Sequence, residues 1–176
     1  MISEPEAQAN KPVWDLSEWT PLPALTTDEE CDVCVIGLGG SGLTCISELQ
    51  ANGFQCVGID LEDTAAGAAG RNGGFLLAGN ANFYHDECER LGRARAREMY
   101  LETLEELKRI YAEFPELTKN CGSLRLAGDA EEMKDIVRQY NIMREDGLPV
   151  QWYVGTEGEG LLIESDGTFN PLFVCR

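Results

Sequence analysis

Asp32-Val33-Cys34-Val35-Ile36-Gly37-Leu38-Gly39-Gly40-Ser41-Gly42 is the stretch that decides how this chain is read. Its first five residues make a short, nearly continuous apolar run of the kind a parallel sheet buries on both faces. The run passes straight into Gly37-Leu38-Gly39-Gly40-Ser41-Gly42, which fits the spacing G-x-G-x-x-G. Leu43, Ile46 and Leu49 follow at helical spacing, and Asn52-Gly53 supplies a stop. A second apolar run, Cys56-Val57-Gly58-Ile59, ends on Asp60. A glycine turn alone would be read as an ordinary loop. Strand, turn, helix, strand and terminal acid together predict a βαβ dinucleotide-binding unit.

Each residue of that loop has a chemical reason to be there. Gly37 allows the tight turn, Gly39 allows a pyrophosphate to approach the backbone, and Gly42 allows the helix to pack closely on the strand. Gly40 and Ser41 stand at the helix N-terminus, where free N–H groups and the positive dipole end favour phosphate. Asp60 lies about 20 residues past the loop, where a carboxylate accepts hydrogen bonds from ribose hydroxyls. An acid there disfavours a 2′-phosphate, which leaves NAD or FAD rather than NADP. The spacing does not choose between those two.

Downstream comes a second glycine-rich stretch, Gly67-Ala68-Ala69-Gly70-Arg71-Asn72-Gly73-Gly74-Phe75. Its glycines free the backbone to take positive φ and to lie against a flat ligand. Arg71 offers a bidentate fork to a phosphate or a carboxylate, and Asn72 offers both donors and acceptors to a ring edge. A flexible alanine–glycine surface loop is the plain alternative.

The two stretches together resemble the D-amino-acid-oxidase-like superfamily of FAD-dependent oxidoreductases, especially its glycine oxidase and gamma-glutamylputrescine oxidoreductase branch. That branch has V-I-G-x-G-x-x-G, an acid closing the second strand, and then G-A-S-G-R-N-G-G-F. This chain departs at Ala69, where the branch has serine, and carries Asp60 for the commoner glutamate. The likeness extends through Gly122-Ser123-Leu124-Arg125-Leu126 and Asp166-Gly167-Thr168-Phe169-Asn170-Pro171-Leu172. What the resemblance implies is FAD as cofactor, held by Gly37, Gly39, Gly40, Ser41, Gly42, Asp60, Arg71, Asn72, Gly73 and Gly74. Arg71 stands where some relatives carry a flavin-linked histidine, so the resemblance implies no covalent attachment through this loop. The implied reaction is hydride transfer to flavin from the carbon bearing a neutral amine, with hydrolysis of the imine in water. The implied substrate is a small-molecule amine or amino acid, and no residue here is named as a catalytic base.

Composition narrows the setting. With 14 basic and 31 acidic residues the formal charge is −17, which argues against nucleic acid and anionic membrane surfaces as partners. No run of residues is long and apolar enough to span a bilayer, and no basic stretch leads into an apolar one at the start. The seven cysteines are odd in number and scattered, so reduced thiols and a cytoplasmic setting are expected. Cys31-x-x-Cys34 falls at the first strand, not at a helix start, and is read as a pair of core cysteines with no metal role. His85, the single histidine, is left off the catalytic list.

The remaining residues read as architecture. Residues 1–30 form a polar, proline-bearing arm with Trp14 and Trp19 as anchors, 31–80 hold the FAD-binding unit and its second loop, and 81–176 lead into the substrate-domain region. One long amphipathic helix is expected from Asp86 to Phe114, opened by an Asp86/Glu89 capping box, with Leu104, Leu107, Tyr111 and Phe114 on one face. Glu105 and Arg109 are set for an i,i+4 pair on its solvated side. Asp129 and Glu132 open another helix, carrying Met133, Ile136, Val137, Tyr140 and Met143 and ended by Gly147 and Pro149. Strands are expected at Ser123–Leu126 and Val150–Val154.

The fold class is therefore α/β: a Rossmann-like FAD-binding βαβ unit with a helical and mixed α+β excursion, incomplete within these residues. A first strand apolar on both faces needs a neighbour on each edge, and only one is present. We expect an N-terminal fragment, a truncated product or a remnant that is poorly stable and holds flavin weakly alone, or a chain whose sheet a partner completes. Two further functions stay open: a catalytically inactive nucleotide-binding or interaction module, and, more weakly, an NAD-dependent dehydrogenase.

Overall fold

The computed structural model describes residues 12, 14, 15 and 19–172. The rest of the expected N-terminal arm and the closing Cys175-Arg176 lie outside the described residues. The chain divides into two compact units, Met1–Gly73 with Asn170–Arg176, and Gly74–Phe169.

In the first unit β1 (Val33–Ile36), α1 (Gly40–Ala51) and β2 (Cys56–Ile59) form the expected βαβ step. The two strands pair in parallel from Val33 opposite Cys56 to Ile36 opposite Ile59. Among the described residues no strand lies on the other edge of β1, and the sheet has two strands. α1 buries no residue completely, and Ile36 at the end of β1 is 83% exposed. The core-cysteine expectation fails for the same reason. Cys34 shares the uncovered side of β1 with Ile36 and is exposed, and Cys31 precedes the strand and is only half-buried. Among the described residues no cluster of side chains could hold a metal ion. After β2 comes a single helical turn, α2 (Ala68–Arg71).

The second unit is built differently. β3 (Phe75–Leu76) opens it, followed by α3 (Tyr84–Leu91), α4 (Arg93–Glu113), β4 (Thr118–Asn120), β5 (Ser123–Leu126), α5 (Ala130–Glu145), β6 (Gln151–Gly155), β7 (Gly158–Ile163) and β8 (Gly167–Phe169). The strands make two antiparallel sheets, ordered β3-β8-β4 and β5-β7-β6. Tyr84, Tyr100, Ile136, Met143, Leu148 and Leu161 gather into one buried cluster between the helices and β7. This apolar gathering supplies most of the unit's favourable folding free energy.

Two expectations about the helices need correction. The long helix is broken at Gly92, whose φ of 84° is open to glycine and strained for other residues, so α3 and α4 are separate. No Asp86/Glu89 capping box forms. α3 begins two residues earlier, at Tyr84, because the Tyr84 N–H donates to Gln139 Oε1 on α5 at 3.0 Å. A side chain from a distant helix caps what a local carboxylate was expected to cap. On α4, Glu105 accepts from Lys108, and Arg109 pairs with Glu106 and Glu113. α5 does open as expected, with Asp129 Oδ1 accepting from the N–H groups of Glu131 and Glu132 at 2.8 and 2.9 Å. Its buried stripe runs through Ile136, Gln139 and Met143, while Val137 is exposed. His85 lies inside α3, 1% exposed, stacked on Phe83 and 3.4 Å from Asp86, a core position.

Candidate functional site: a glycine-lined nucleotide cradle

The glycine loop is shaped by three backbone demands. Gly37 takes φ 101° as the chain leaves β1, and its N–H donates to Ile59 O at 2.8 Å. Gly42 faces the strand so closely that a Cβ there would stand 1.9 Å from Gly37 O. Only glycine fits at either position, the first for φ and the second for space. Gly39 and Gly40 differ. A Cβ on Gly39 would meet only Ala69 Cβ, at 3.8 Å, and one on Gly40 would meet nothing within 4 Å. The protein itself does not need glycine there, so the open side of the loop is where a ligand backbone can approach.

The electrostatics suit an anion. Gly39 caps α1 without a side chain, and no acidic residue lies in the first turn, although the chain as a whole is strongly acidic. The N–H groups of that turn, including those of Ser41 and Gly42, have no intrahelical acceptor, and the dipole end is positive. These residues fit a pyrophosphate.

Asp60 does two things at once. Its Oδ2 accepts from the Leu38 N–H at 2.6 Å and its Oδ1 from the Glu62 N–H at 3.2 Å. These backbone donations, Leu38 first, hold its carboxyl below the usual carboxylate range, so it is charged at neutral pH. The same side chain therefore ties the glycine loop to the end of β2 and leaves lone pairs for a hydroxyl.

The second glycine stretch folds back onto the first. Ala65, at φ 57°, donates its N–H to Leu38 O at 3.0 Å, and Ala69 sits beside Gly39. The stretch is thus an ordered turn of helix, not a slack linker. Gly70 serves packing, since a Cβ there would lie 2.3 Å from Ala65 O and 2.4 Å from Leu172 Cδ2. Asn72 caps α2, donating to Ala69 O at 2.7 Å. Arg71 is exposed, with no ion pair among the described residues. Gly73 is exposed at the end of the first unit. Gly74 opens the second unit with φ 67° and accepts the Phe169 N–H at 2.8 Å. Nine of the ten expected residues thus fall in the first unit and one in the second.

Two features were not read from the sequence. Gly58 on β2 makes room for Leu38 and Ile46, whose side chains would crowd a Cβ at 2.6 and 2.7 Å. The segment Pro21–Thr27 lines a cavity of about 630 Å³ together with Asp60. Its prolines marked an arm, and nothing in their spacing marked a wall.

Residues 32–176 match the family of FAD dependent oxidoreductases. The chain belongs to that family. FAD is thereby favoured over NAD as the dinucleotide, in line with the second glycine stretch. Among curated proteins it is 25% identical over 170 residues to the probable oxidoreductase OrdL of Haemophilus influenzae, covering 88% of this chain and 39% of that one. It is 38% identical over 61 residues to gamma-glutamylputrescine oxidoreductase of Escherichia coli, covering 35% of this chain and 14% of that one. Glycine oxidase from Geobacillus kaustophilus shares the fold with a TM-score of 0.60 at 22% identity, covering 82% of this chain and 42% of that one. The chain thus spans about two fifths, or less, of the relatives it matches. Among the described residues no helix of this family member is long and apolar enough to cross a membrane.

Proposed function

We propose that this chain supplies the FAD-holding part of an oxidoreductase acting on a small amine or amino acid in the cytoplasm. The observation that carries the reading is the convergence of the two glycine stretches, with Ala69 against Gly39 and Ala65 tied to Leu38 O. In this reading Gly37, Gly39, Gly40, Ser41 and Gly42 cradle the pyrophosphate, and Asp60 accepts from a ribose hydroxyl. Arg71, Asn72, Gly73 and Gly74 extend the contact surface along the cofactor. FAD, when bound, supplies the hydride acceptor for oxidation at the amine-bearing carbon. Residues 1–30 act as an arm, 31–80 as the cofactor unit and 81–176 as the lead into a substrate-binding region.

Gly39→Ala tests the reading with little structural disturbance, because the new methyl would meet only Ala69 at an ordinary distance. Unfolding should be unchanged, while FAD affinity in equilibrium dialysis should fall by roughly tenfold or more, a loss of at least ~1.4 kcal/mol. Equal FAD affinity in the variant would contradict the assignment of this loop. A second reading is a nucleotide-binding module without catalysis. FAD-loaded protein that oxidises no amine would support that reading over the first.

A further inference from the structure

The cavity beside Asp60 has an unusual lining for a nucleotide site. One wall is the segment Pro21–Thr27, and the other is the end of β2 with Asp60, Leu61 and Glu62. Leu22 and Leu25 reach it from the strap while remaining 61% and 59% exposed, and Leu61 opposite is 99% exposed. Among the described residues, Glu29, Asp60, Glu62 and Asp63 line it, and no lysine or arginine does. Leucines on both walls with four carboxylates around them suit a neutral, flat, hydroxyl-bearing group that donates hydrogen bonds, and repel a phosphate. At about 630 Å³ the cavity falls in the ~300–1,000 Å³ range of small-molecule pockets.

The strap is held at its upstream end. Trp19 Nε1 donates to Asp63 Oδ2 at 2.6 Å, and Trp14 Nε1 donates to Gly70 O at 2.9 Å. Asn170 Nδ2 in turn donates to Trp14 O at 3.1 Å. The first contact ties the strap to the loop that follows Asp60, and the other two tie Trp14 to α2 and to Asn170, all within one unit.

The geometry points to residues 19–27 as a latched wall of the adenosine subsite: Leu22 and Leu25 cover the purine, Asp60 receives the ribose, and the Trp19–Asp63 bond keeps the wall closed. This inference rests on the FAD reading above and adds a selectivity element upstream of the glycine loop. The strap gives affinity for the adenosine half of the cofactor and none for its flavin half.

The experiment is equilibrium binding of FAD and of ADP to the chain and to its Leu22→Asp/Leu25→Asp variant, with thermal unfolding of both. The two leucines are exposed, so the unfolding temperature should stay within a degree or two while both ligands weaken by about tenfold. Trp19→Phe, which removes the indole donor together with part of the ring, should weaken both ligands in the same direction and by less. Unchanged affinities in the double variant would overturn the strap's role and leave the FAD reading standing. A loss for FAD with none for ADP would overturn the adenosine assignment. Failure of the unaltered chain to bind FAD would instead overturn the functional reading itself.

Discussion

Met143 and Leu161 in the unit Gly74–Phe169 are 0% exposed, whereas in the unit that carries the glycine loop α1 buries no residue and Ile36 is 83% exposed. The difference comes from the kind of pairing each unit uses. β6 and β7 are joined across Thr156-Glu157, with Gly155 opposite Gly158, so their sheet closes locally. Antiparallel strands need only such a turn, while parallel strands need crossovers of a dozen residues or more. β1 and β2 use one crossover and obtain one pairing. The glycine loop is thus shaped on a sheet that has little core beneath it, and the better-packed unit carries only Gly74 of the ten residues proposed to contact the cofactor.

The contrast can be broken most forcefully at Leu161, which lies at the centre of β7 between Arg125 and Trp152. Leu161→Ala should destabilise the second unit by ~2–5 kcal/mol, read by chemical denaturation. A loss under ~1 kcal/mol would mean that the apparent core is loosely packed. Next comes Gly42→Ala, whose methyl would collide with Gly37 O. It should cost the first unit ~1–3 kcal/mol and abolish FAD binding, read by chemical denaturation and by dialysis.

Acid sharpens the comparison without a mutation. Glu87 is held down to about 2, by Arg90 first and then by Asn82, with a smaller contribution from Asn80. A depressed carboxyl contributes stability above its unfolded value near 4.5 that is lost as pH falls toward 2. Circular dichroism should therefore show the second unit weakening across that window, and Glu87→Gln should flatten the dependence. Smallest of all is Ile36→Ala. A side chain so exposed should change stability by no more than ~0.5 kcal/mol, and a larger loss would reveal that something covers β1 in solution.

Much of this contrast was legible in the residues. The βαβ step, the demand for glycine at Gly37 for φ and at Gly42 for space, the Asp129 cap and the Ser123–Leu126 strand all follow from local spacing. What escaped was set by distant partners. The start of α3 is fixed by Gln139 from another helix, and the break at Gly92 interrupts a helical periodicity that continues on both sides. Cys34 and Ile36 have the pattern of a buried strand, yet pattern records what a strand could bury and not what is there to bury it. Gly70 shows the same limit in part, since a Cβ there would meet not only the nearby Ala65 O at 2.3 Å but also Leu172 Cδ2 at 2.4 Å, about a hundred residues away.

The measurement that tests the account most directly is amide hydrogen exchange of the intact chain with and without FAD. Without FAD, amides of Val33–Ile36 should exchange quickly while those of Ile136, Met143 and Leu161 are strongly protected; adding FAD should slow exchange from Gly37 to Gly42 and at Asp60. Equal protection of both units without FAD, or no change at Gly37–Gly42 on adding it, would contradict the account.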